Sequence, residues 1–454
     1  MDPNRWKHCH PYNRKSPLQI GYMISLLKKE YKVSFLDGWI ARYPLDLLLR
    51  KTNNFNSSVA VLSFIANDRQ FTLKYATKAK EFAPHIKIIC IGPDASTLPE
   101  ALIFKGSPID FVLRGECELD LLELLGNFDS PENLKRIRSL YYKEKRQAEI
   151  ALIENPDRLP MPQHFLFRFK DYISIYLLPL NFELRWGYIL SSRGCPHQCM
   201  FCSPVMRSSY GLKVRFRSIK NVIEEMLYLK SLGINIVSFE DDDFTISRER
   251  TIELCREMID KKIDLAWIAH ARITELSKDL MAAMKAAGCV LLRVGIESGS
   301  NRVINILSKT KKMVDWSKVV QKVFKEAKKV NLLLHAMFII GSPDEEEADL
   351  NLTIKLIKKI EPNSIQVHYF AAYPGSRVFT EYWCNRKFDT KIHHYNPLEI
   401  MNLSRIETKR LKTVQRRMYR SFYLSLPFIV KHIKYYRFYL HNPKVIIKGI
   451  KGLI

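Results

Sequence analysis

The stretch Arg193-Gly194-Cys195-Pro196-His197-Gln198-Cys199-Met200-Phe201-Cys202 places three cysteines in one short segment. Thiolates are the ligands that hold iron-sulfur clusters, and a cubane held by protein alone needs a fourth cysteine, which this segment lacks. Thiolates from Cys195, Cys199 and Cys202 would therefore leave one iron of a [4Fe-4S] cluster open to a substrate or cofactor. A zinc site and buried structural cysteines are the alternatives, although zinc favours four ligands in paired short spacings.

The spacing of these cysteines resembles the signature of the radical SAM superfamily. In that superfamily the amino and carboxylate groups of S-adenosylmethionine (SAM) bind the open iron, and an electron from the cluster cleaves the sulfonium. The resemblance implies a [4Fe-4S] cluster, SAM as a cofactor, and a reductant such as ferredoxin or flavodoxin. Phe201 stands where the family places an aromatic ring beside the adenine, and a core phenylalanine is the alternative.

The composition indicates several domains in a reducing compartment. The chain has 454 residues, more than one ordinary core holds, and 47% of them are hydrophobic. Its nine cysteines do not form the pattern of a disulfide framework. No apolar run reaches about 18 residues, and the polar first fourteen residues contain no signal core. We therefore expect a cytoplasmic protein that reaches, at most, the inner membrane surface.

The first part of the chain, to about Asn127, alternates short apolar runs with helical stretches. The apolar runs cover 33–36, 59–64, 86–91 and 111–113, and helices are expected near 18–30 and 70–83. Short buried strands separated by helices predict an α/β fold with a doubly wound parallel sheet. Ligands bind such sheets beyond the carboxyl ends of the strands. The residues at those ends are Ser63, Gly92, Pro93, Gly115 and Glu116.

From about Trp186 a unit of one strand and one helix repeats six times. Strands are expected near 187–192, 234–239, 264–269, 289–295, 332–340 and 364–370, and helices near 218–231, 247–260, 275–287, 300–308, 344–359 and after Gly375. Six units resemble the partial (β/α)6 barrel of the radical SAM core, and barrels carry their chemistry at the carboxyl ends of the strands. The predicted domains are a sheet domain over 1–127, a linker over 128–180, the radical SAM core over 181–376 and a basic helical region over 377–454.

Acidic residues follow the second predicted barrel strand. The run from Glu240 to Asp243 would be costly to bury without a cation, which favours a cationic ligand. In the superfamily this strand end meets the amino group of SAM, usually through a Gly-Gly-Glu string that this chain lacks. Glu240, Asp241 and Asp242 therefore stay as alternatives for that contact, and an acidic helix cap is the competing interpretation.

Later strand ends supply further predicted contacts. Arg272 is expected to meet the carboxylate of SAM or the substrate, with a structural salt bridge to the acids as the alternative. The string Gly295-Ile296-Glu297-Ser298 is similar to a family string whose acid contacts ribose hydroxyls. Lys309 matches a basic position that approaches the SAM carboxylate, with a solvated lysine as the alternative. Ile340 lies on a strand that resembles the adenine-side strand of the family. No catalytic residue is assigned.

Strings in the first domain resemble the class of radical SAM enzymes with an amino-terminal cobalamin-binding domain, the class B methyltransferase-like family. They are Pro17-Leu18-Gln19-Ile20-Gly21-Tyr22, Ile91-Gly92-Pro93-Asp94 and Val112-Leu113-Arg114-Gly115-Glu116-Cys117-Glu118. The resemblance implies cobalamin at the strand ends of a Rossmannoid domain. The chain has no Asp-x-His-x-x-Gly string, so no histidine is expected on cobalt, and polar Met1–Lys15 lacks the apolar first strand of the class. A sheet domain that binds nothing is the alternative.

The last fifty residues are strongly basic. From Arg405 to Ile454 thirteen Lys or Arg stand against one acid, Glu407, which is about half of the formal net charge of +25. The interleaved aromatic residues favour peripheral association with an anionic membrane. RNA binding and a helical cap over the barrel are the alternatives, and the cap is the simplest. In the resembling family such tails occur in enzymes acting on polycyclic lipids and tetrapyrroles, which favours a hydrophobic small-molecule or lipid substrate.

The leading functional hypothesis is a cobalamin-dependent radical SAM C-methyltransferase. The resemblance implies that a 5′-deoxyadenosyl radical abstracts hydrogen from an unactivated carbon and that cobalamin delivers a methyl group to it. The alternatives are a radical SAM enzyme for oxidative cyclisation or rearrangement, and an RNA-modifying or RNA-binding protein. Cys9, Cys90 and Cys117 are not grouped to hold the second cluster of related RNA methylthiotransferases, which argues against nucleic acid.

Overall fold

The computed structural model places two parallel sheets along the chain, each surrounded by helices. It describes residues 17–38, 45–54, 58–64, 68–167, 176, 178, 180–202, 211–310, 314–383, 402–433 and 435–443. The polar segment Met1–Lys15, Cys9, Cys384 and the tail bases Lys434, Lys444, Lys448 and Lys451 lie outside these residues.

The first sheet has four strands in the order β1 (Val59–Ser63), β2 (Lys87–Ile91), β3 (Phe111–Leu113) and β4 (Leu140–Tyr142). The first three are parallel, and β4 is antiparallel to β3. The helices are α1 (Leu18–Leu27), α2 (Leu45–Asn54), α3 (Arg69–Phe82), α4 (Pro93–Thr97), α5 (Glu118–Leu125) and α6 (Pro131–Arg136). Helices cover both faces, because Ile88 and Cys90 pack against α3 while Ile89 and Ile91 pack against α1 and α5. Burial on both faces explains the continuous apolar runs.

Two features of this unit differ from the sequence expectation. Residues 33–36 form no strand, and their apolar side chains pack as irregular chain, with the ring of Phe35 5.9 Å from that of Phe167. β4, by contrast, lies inside the predicted linker, with all three residues buried. β4 is a short apolar run between charged residues, so it was not recognised as a strand in the sequence. Short length and flanking charges are typical of edge strands.

The second sheet is the predicted partial barrel. Its six parallel strands lie in the order β5 (Trp186–Ile189), β8 (Ile236–Phe239), β9 (Ala266–Ala271), β10 (Cys289–Glu297), β11 (Leu333–Ile340) and β12 (Ser364–Tyr369). The helices are α7 (Ile219–Ser231), α8 (Arg248–Asp260), α9 (Lys278–Ala286), α10 (Asn301–Ile306), α11 (Trp316–Lys329), α12 (Glu347–Ile360) and α13 (Arg377–Trp383). A small antiparallel pair, β6 (Ser192–Arg193) and β7 (Arg215–Phe216), brackets the cysteine segment.

Helix α11 is absent from the sequence prediction. It buries Trp316, Val320, Val323, Phe324 and Ala327, a spacing that forms one apolar face, and the Asp315 carboxylate caps it by accepting from the Lys318 N–H. The prediction assigned one helix to each strand. Because α10 already fills the place after β10, that scheme left no position for a second helix in the same unit.

The carboxyl-terminal region begins with α14 (Thr408–Tyr423), which covers the edge strand β12. Tyr423 Oη accepts from the Ile365 N–H (3.0 Å), Tyr419 Oη accepts from the Val367 N–H (2.8 Å), and Gln415 Nε2 donates to the Val367 carbonyl (2.7 Å). These side chains satisfy the backbone groups that an edge strand leaves unpaired. Helix α14 therefore caps the barrel, as in the simplest of the three interpretations.

The tail continues as α15 (Leu426–Ile433) and α16 (Tyr436–His441). Phe438 is buried with Trp186 and Ile236 at the amino-terminal ends of the barrel strands. The two short helices therefore lie at the end of the barrel opposite the cysteine segment. None of the helices that the structure describes is long and apolar enough to cross a lipid bilayer.

Candidate cofactor site

The cysteine segment leaves the barrel between β6 and β7. Cys195 and Cys199 are buried and Cys202 is half-buried. The Cys195 N–H donates to the Gly211 carbonyl and the Cys202 N–H donates to the Cys199 carbonyl, at 3.2 Å each. Burial, together with the charges of Asp242 and Cys202, raises the pKa of the Cys195 thiol to about 12. A bound cation would hold it as the thiolate, the form that ligates metal, so the donor set fits an iron-sulfur cluster.

A second set of metal-ligating side chains lies beside the cysteine segment. Among the described residues, His197, Asp243 and Glu275 bring their ligating atoms within 4.8 Å of one another. For the cysteines the number of donors is informative, because structural zinc favours four protein ligands whereas three thiolates can each ligate one iron of a cluster.

His197 pairs with two acids that follow β8 and β9 in the chain. Its Nε2 lies 3.1 Å from a Glu275 oxygen and 3.4 Å from an Asp243 oxygen. Hydrogen bonds that His197 donates to Asp243 and then to Glu275 raise the pKa of this imidazole to about 9. The imidazolium therefore ties the cysteine segment to the ends of β8 and β9 at neutral pH.

Two of the acids after β8 make internal contacts. The Glu240 carboxylate pairs with Arg293 at 3.2 Å inside the barrel. Asp241 is fully buried and accepts from the hydroxyls of Ser191 (3.0 Å) and Ser192 (2.5 Å). These contacts occupy both side chains with the protein itself. The charges of Asp242 and Asp243 both raise the pKa of the Cys195 thiol, so both acids lie near that cysteine.

Glu297 and Lys309 form a buried ion pair beside the cysteine segment, with 2.7 Å between Nζ and Oε1. Burial lowers the pKa of Lys309, but the charges of Glu297 and then Cys199 raise it more, so the net shift is upward. The ammonium also lies 5.8 Å from the ring centroid of Phe201. Carboxylate, ammonium and aromatic ring are thus grouped at one strand end.

The backbone at this strand end is strained. Glu297 has a φ of 65°, in the left-handed region, which costs of order 1–3 kcal/mol for a residue with a side chain. Two residues earlier, a Cβ on Gly295 would lie 2.3 Å from Glu297 Oε1 and 2.9 Å from Lys309 Nζ. A side chain at position 295 would therefore displace the ion pair. The backbone strain at Glu297 is of the kind that concentrates at functional sites.

The remaining predicted residues of the barrel divide into two groups. Arg272 lies beside the cysteines, with Nη1 3.6 Å from Cys199 Sγ and Nη2 donating to the Lys309 carbonyl. Ser298 is buried and its hydroxyl lies 3.2 Å from that of Thr353. The Ile340 carbonyl accepts from Phe370 N–H, at 2.8 Å. The structure therefore groups Arg272 with the cysteine segment, whereas Ser298 and Ile340 form hydrogen bonds with other parts of the barrel unit.

A polar cluster inside the barrel was not predicted. Arg293 is buried, donates to the Phe239 carbonyl at 2.8 Å and lies beside Glu240. His335, its register partner on β11, contacts the Ser364 hydroxyl at 2.7 Å, and burial lowers the pKa of this imidazole to about 3. The sequence did show one signal, because Arg293 is a charged residue in the middle of an otherwise apolar strand. That its side chain points into the barrel could be known only from the register of the sheet.

The predicted residues of the first sheet also divide. Ser63 is exposed, and Gly92 has a φ of 95° with its Cβ position 3.2 Å from the Ser63 hydroxyl. Pro93 begins α4 at the same edge. A Cβ on Gly115 would lie 2.4 Å from the Ala151 carbonyl oxygen, and Glu116 is buried in ion pairs with arginines of the barrel unit. Ser63, Gly92 and Pro93 therefore lie together at the carboxyl ends of β1 and β2, whereas Gly115 and Glu116 contact other parts of the protein.

The core of the barrel matches a known protein family. Residues 189–357, from the end of β5 to α12, match the radical SAM superfamily. The chain carries a radical SAM domain. The domain implies a [4Fe-4S] cluster and SAM, and radical SAM enzymes generally need a reductant, as the resemblance of the cysteine segment implied.

The sequence similarity to other proteins extends beyond the radical SAM domain. An uncharacterized methyltransferase of Pyrococcus horikoshii is 28% identical over 445 residues, which are 96% of this chain and 93% of that protein. An anaerobic magnesium-protoporphyrin IX monomethyl ester cyclase of Rubrivivax gelatinosus is 26% identical over 67% of this chain and 54% of its own length. The chain is thus a radical SAM enzyme homologous to methyltransferases, which confirms the predicted class.

A solved structure shares the fold of both sheets. The radical SAM methyltransferase TsrM from Kitasatospora setae, with cobalamin and a [4Fe-4S] cluster bound, superposes with a TM-score of 0.68 over 82% of this chain and 75% of its own. The two sequences are 16% identical. The likeness confirms the predicted α/β fold with parallel sheets.

Glu345, in the radical SAM domain after β11, carries a pH dependence that can be measured. Its carboxylate accepts from the backbone N–H groups of Gly341 (2.6 Å) and Ser342 (3.2 Å). Burial nevertheless raises the pKa of Glu345 from 4.5 to about 8. Because the folded pKa exceeds the unfolded one, this group stabilises the fold below pH 4.5, and that contribution is lost as the pH rises through 8.

We expect Glu345→Gln to stabilise the protein at pH 9 relative to the unchanged chain, and to have little effect at pH 5. Glutamine keeps an acceptor oxygen and carries no charge, and each unit of pKa shift corresponds to about 1.4 kcal/mol. Urea unfolding at the two pH values measures the difference, with Glu253→Gln on exposed α8 surface as the control. An equal stability difference at both pH values would show that the carboxyl does not titrate in this range.

Proposed function

We propose that this chain is a cobalamin-dependent radical SAM methyltransferase that methylates an unactivated carbon. The observation that carries the proposal is the pairing of a radical SAM domain with a preceding parallel sheet in the arrangement found in TsrM. A relative named as a methyltransferase spans 96% of the chain, which supports methyl transfer as the reaction.

The proposed cofactor contacts follow from the chemistry of each side chain. Cys195, Cys199 and Cys202 would ligate three irons, and the cluster, when bound, supplies the electron that cleaves SAM. Of the two acids beside Cys195, Asp243 pairs with His197, and Asp242 would meet the SAM ammonium. The SAM carboxylate would meet the cations Lys309 and Arg272, while Glu297 would accept from the ribose hydroxyls and Phe201 would pack against the adenine.

The reaction balances with a low-potential reductant of the ferredoxin or flavodoxin type. One C–H group, two SAM molecules and two electrons give the methylated product, methionine, 5′-deoxyadenosine and S-adenosylhomocysteine. Cobalamin, when bound, carries the methyl group between the second SAM and the substrate. The protein contributes the positions of these groups and a buried, charged site.

The first sheet is proposed to hold cobalamin without a histidine on cobalt. His85 is the only histidine between residues 17 and 127, and it precedes β2, at the edge opposite Ser63 and Gly92. We expect the Co(II) state of the reconstituted protein to show no nitrogen hyperfine splitting from a lower ligand in its electron paramagnetic resonance spectrum.

Gly92→Val should sharply reduce the corrinoid retained after gel filtration, because the side chain would crowd Ser63 and Phe64 at the proposed site. The matched control is Gly106→Val, a glycine of similar φ with no atom within 4 Å of its Cβ position. Wild-type protein that retains no corrinoid, or equal retention by both variants, would favour the non-methylating alternative.

A second candidate function is oxidative ring closure. The relative from Rubrivivax gelatinosus is named as a cyclase, and the similarity covers 67% of this chain. Ring closure would consume SAM without forming S-adenosylhomocysteine, whereas methylation forms it in equal amount to 5′-deoxyadenosine. The ratio of these two products therefore separates the two functions.

The tail supports a hydrophobic or membrane-associated substrate. Seven large apolar side chains are exposed between residues 424 and 440: Leu424, Leu426, Ile429, Val430, Ile433, Tyr436 and Leu440. Lys431 and Arg437 lie among them. Exposed apolar patches bordered by bases are typical of proteins that rest on anionic membranes. Because these helices lie at the amino-terminal end of the barrel, this surface would anchor the enzyme and leave the cofactor end open.

Liposome sedimentation tests the membrane proposal. Replacing Leu426, Val430 and Leu440 together by Ser should reduce binding to anionic liposomes at low and high salt. Lys431→Gln with Arg437→Gln should reduce it mainly at low salt, because exposed charges are screened beyond about 10 Å at roughly 0.1 M ionic strength. Preference for RNA over liposomes, or binding to neither, would contradict the proposal.

A further inference from the structure

A buried ionic network joins the first sheet unit to the base of the cysteine segment. Arg193 and Arg215 are direct partners on the antiparallel strands β6 and β7, which together form the neck of the segment. Between them the chain runs through residues 194–214, including all three cysteines of the motif. The pairing of β6 with β7 therefore determines how closely the two ends of the segment are held together.

Two arginines opposite each other on paired strands repel, and like charges in such positions are destabilising. Their counter-charges come from the first sheet unit. Glu116 lies 2.5 and 2.8 Å from the two terminal nitrogens of Arg215 and 3.4 Å from Arg193, and Glu118 lies 2.8 Å from Arg193. The side chains of all four residues are at most 3% exposed.

The two carboxylates follow β3 closely: Glu116 lies in the loop after that strand, and Glu118 is the first residue of α5. Glu118 is 75 residues from Arg193 in the sequence, and Glu116 is 99 from Arg215. Glu116 also accepts from the Ile153 N–H at 2.8 Å, which fixes its carboxylate from a third side. A buried arginine that loses its carboxylate keeps an uncompensated charge, so the neck depends on both acids.

We propose that Glu116 and Glu118 are positioning residues that close the neck of the cysteine segment, so that the first sheet unit holds the segment ready for the cluster. The proposal rests on the proposed function only in taking these cysteines as the cluster ligands. It assigns to the segment after β3 a role in the neighbouring domain, and it links the ligand edge of the first sheet to the cluster.

Hydrogen–deuterium exchange of the cluster-free full-length protein tests the contact directly. In Glu118→Gln and Glu116→Gln, peptides covering 190–202 and 211–217 should exchange about tenfold faster, because loss of a buried counter-charge promotes local opening. The control is Asp94→Asn, which breaks the equally buried pair with Arg69 in the same sheet unit. That variant should leave both peptides unchanged.

Iron binding supplies a second measurement with a rescue. After reconstitution, Glu118→Gln should hold much less iron per chain than the unchanged protein, and Glu118→Gln with Arg193→Gln should recover most of it, because no unpaired buried charge remains. Unchanged exchange in both single variants would overturn the proposal. Faster exchange combined with an unchanged protein that binds no iron would instead overturn the assignment of the cluster.

Discussion

Replacement of Cys195, Cys199 or Cys202 by Ala is expected to abolish cluster absorbance and SAM cleavage. Each thiol is the proposed ligand of a different iron, and a [4Fe-4S] cluster that loses one of three protein ligands has two open irons. The loss should be complete. A cluster held by only two thiolates would not bind SAM in one geometry and would not survive purification. Iron content, visible absorbance and 5′-deoxyadenosine formation under dithionite measure it.

Cys255→Ala is the matched control for the cysteine variants. Cys255 is also buried and free, but it lies on α8 in the core between helices and barrel. This variant should keep its cluster and its SAM cleavage, with only the stability loss of a small core truncation. Retention of SAM cleavage by the variant that lacks all three motif cysteines would contradict the proposed ligand set.

Lys309→Met is expected to weaken SAM binding severely and to destabilise the fold by about 3–5 kcal/mol, because it leaves the buried Glu297 carboxylate without its cation. Methionine has a similar volume, so the change removes charge with little change in packing. The same side chain is the proposed cation for the SAM carboxylate. Equilibrium dialysis with SAM and urea unfolding measure the two effects.

Lys318→Met provides the comparison for Lys309. Lys318 also pairs with an acid, Asp315 at 3.2 Å, but its side chain is 84% exposed. Exposed pairs contribute between about 0 and 1 kcal/mol, so this variant should retain both stability and SAM binding. Equal behaviour of the two variants would show that the Glu297–Lys309 pair has no special role.

The sequence was most informative where the deciding contacts are local. The cysteine segment could be identified because its spacing is read directly along the chain, and the barrel strands could be placed because each is a short apolar run of regular length. Gly295-Ile296-Glu297-Ser298 gave the position of the strained strand end, although the ion pair with Lys309 required the fold.

The parts that could not be predicted depend on contacts between distant segments. Arg293 and His335 lie side by side inside the barrel because the register of β10 and β11 makes them partners. Glu116 was expected at a ligand edge, but Arg215, far along the chain, pairs with it in the structure. Phe438, one of many tail aromatics, is buried beneath the barrel because α14 returns the chain to that end.

The most direct measurement of the central claim is product analysis after anaerobic reconstitution with iron, sulfide and cobalamin. The protein is incubated with SAM and a low-potential reductant, and the nucleoside products are quantified by mass spectrometry. The account predicts 5′-deoxyadenosine in the unchanged protein, its absence in Cys199→Ala, and S-adenosylhomocysteine only when cobalamin is bound. A fully reconstituted protein that holds its cluster and forms no 5′-deoxyadenosine would contradict it.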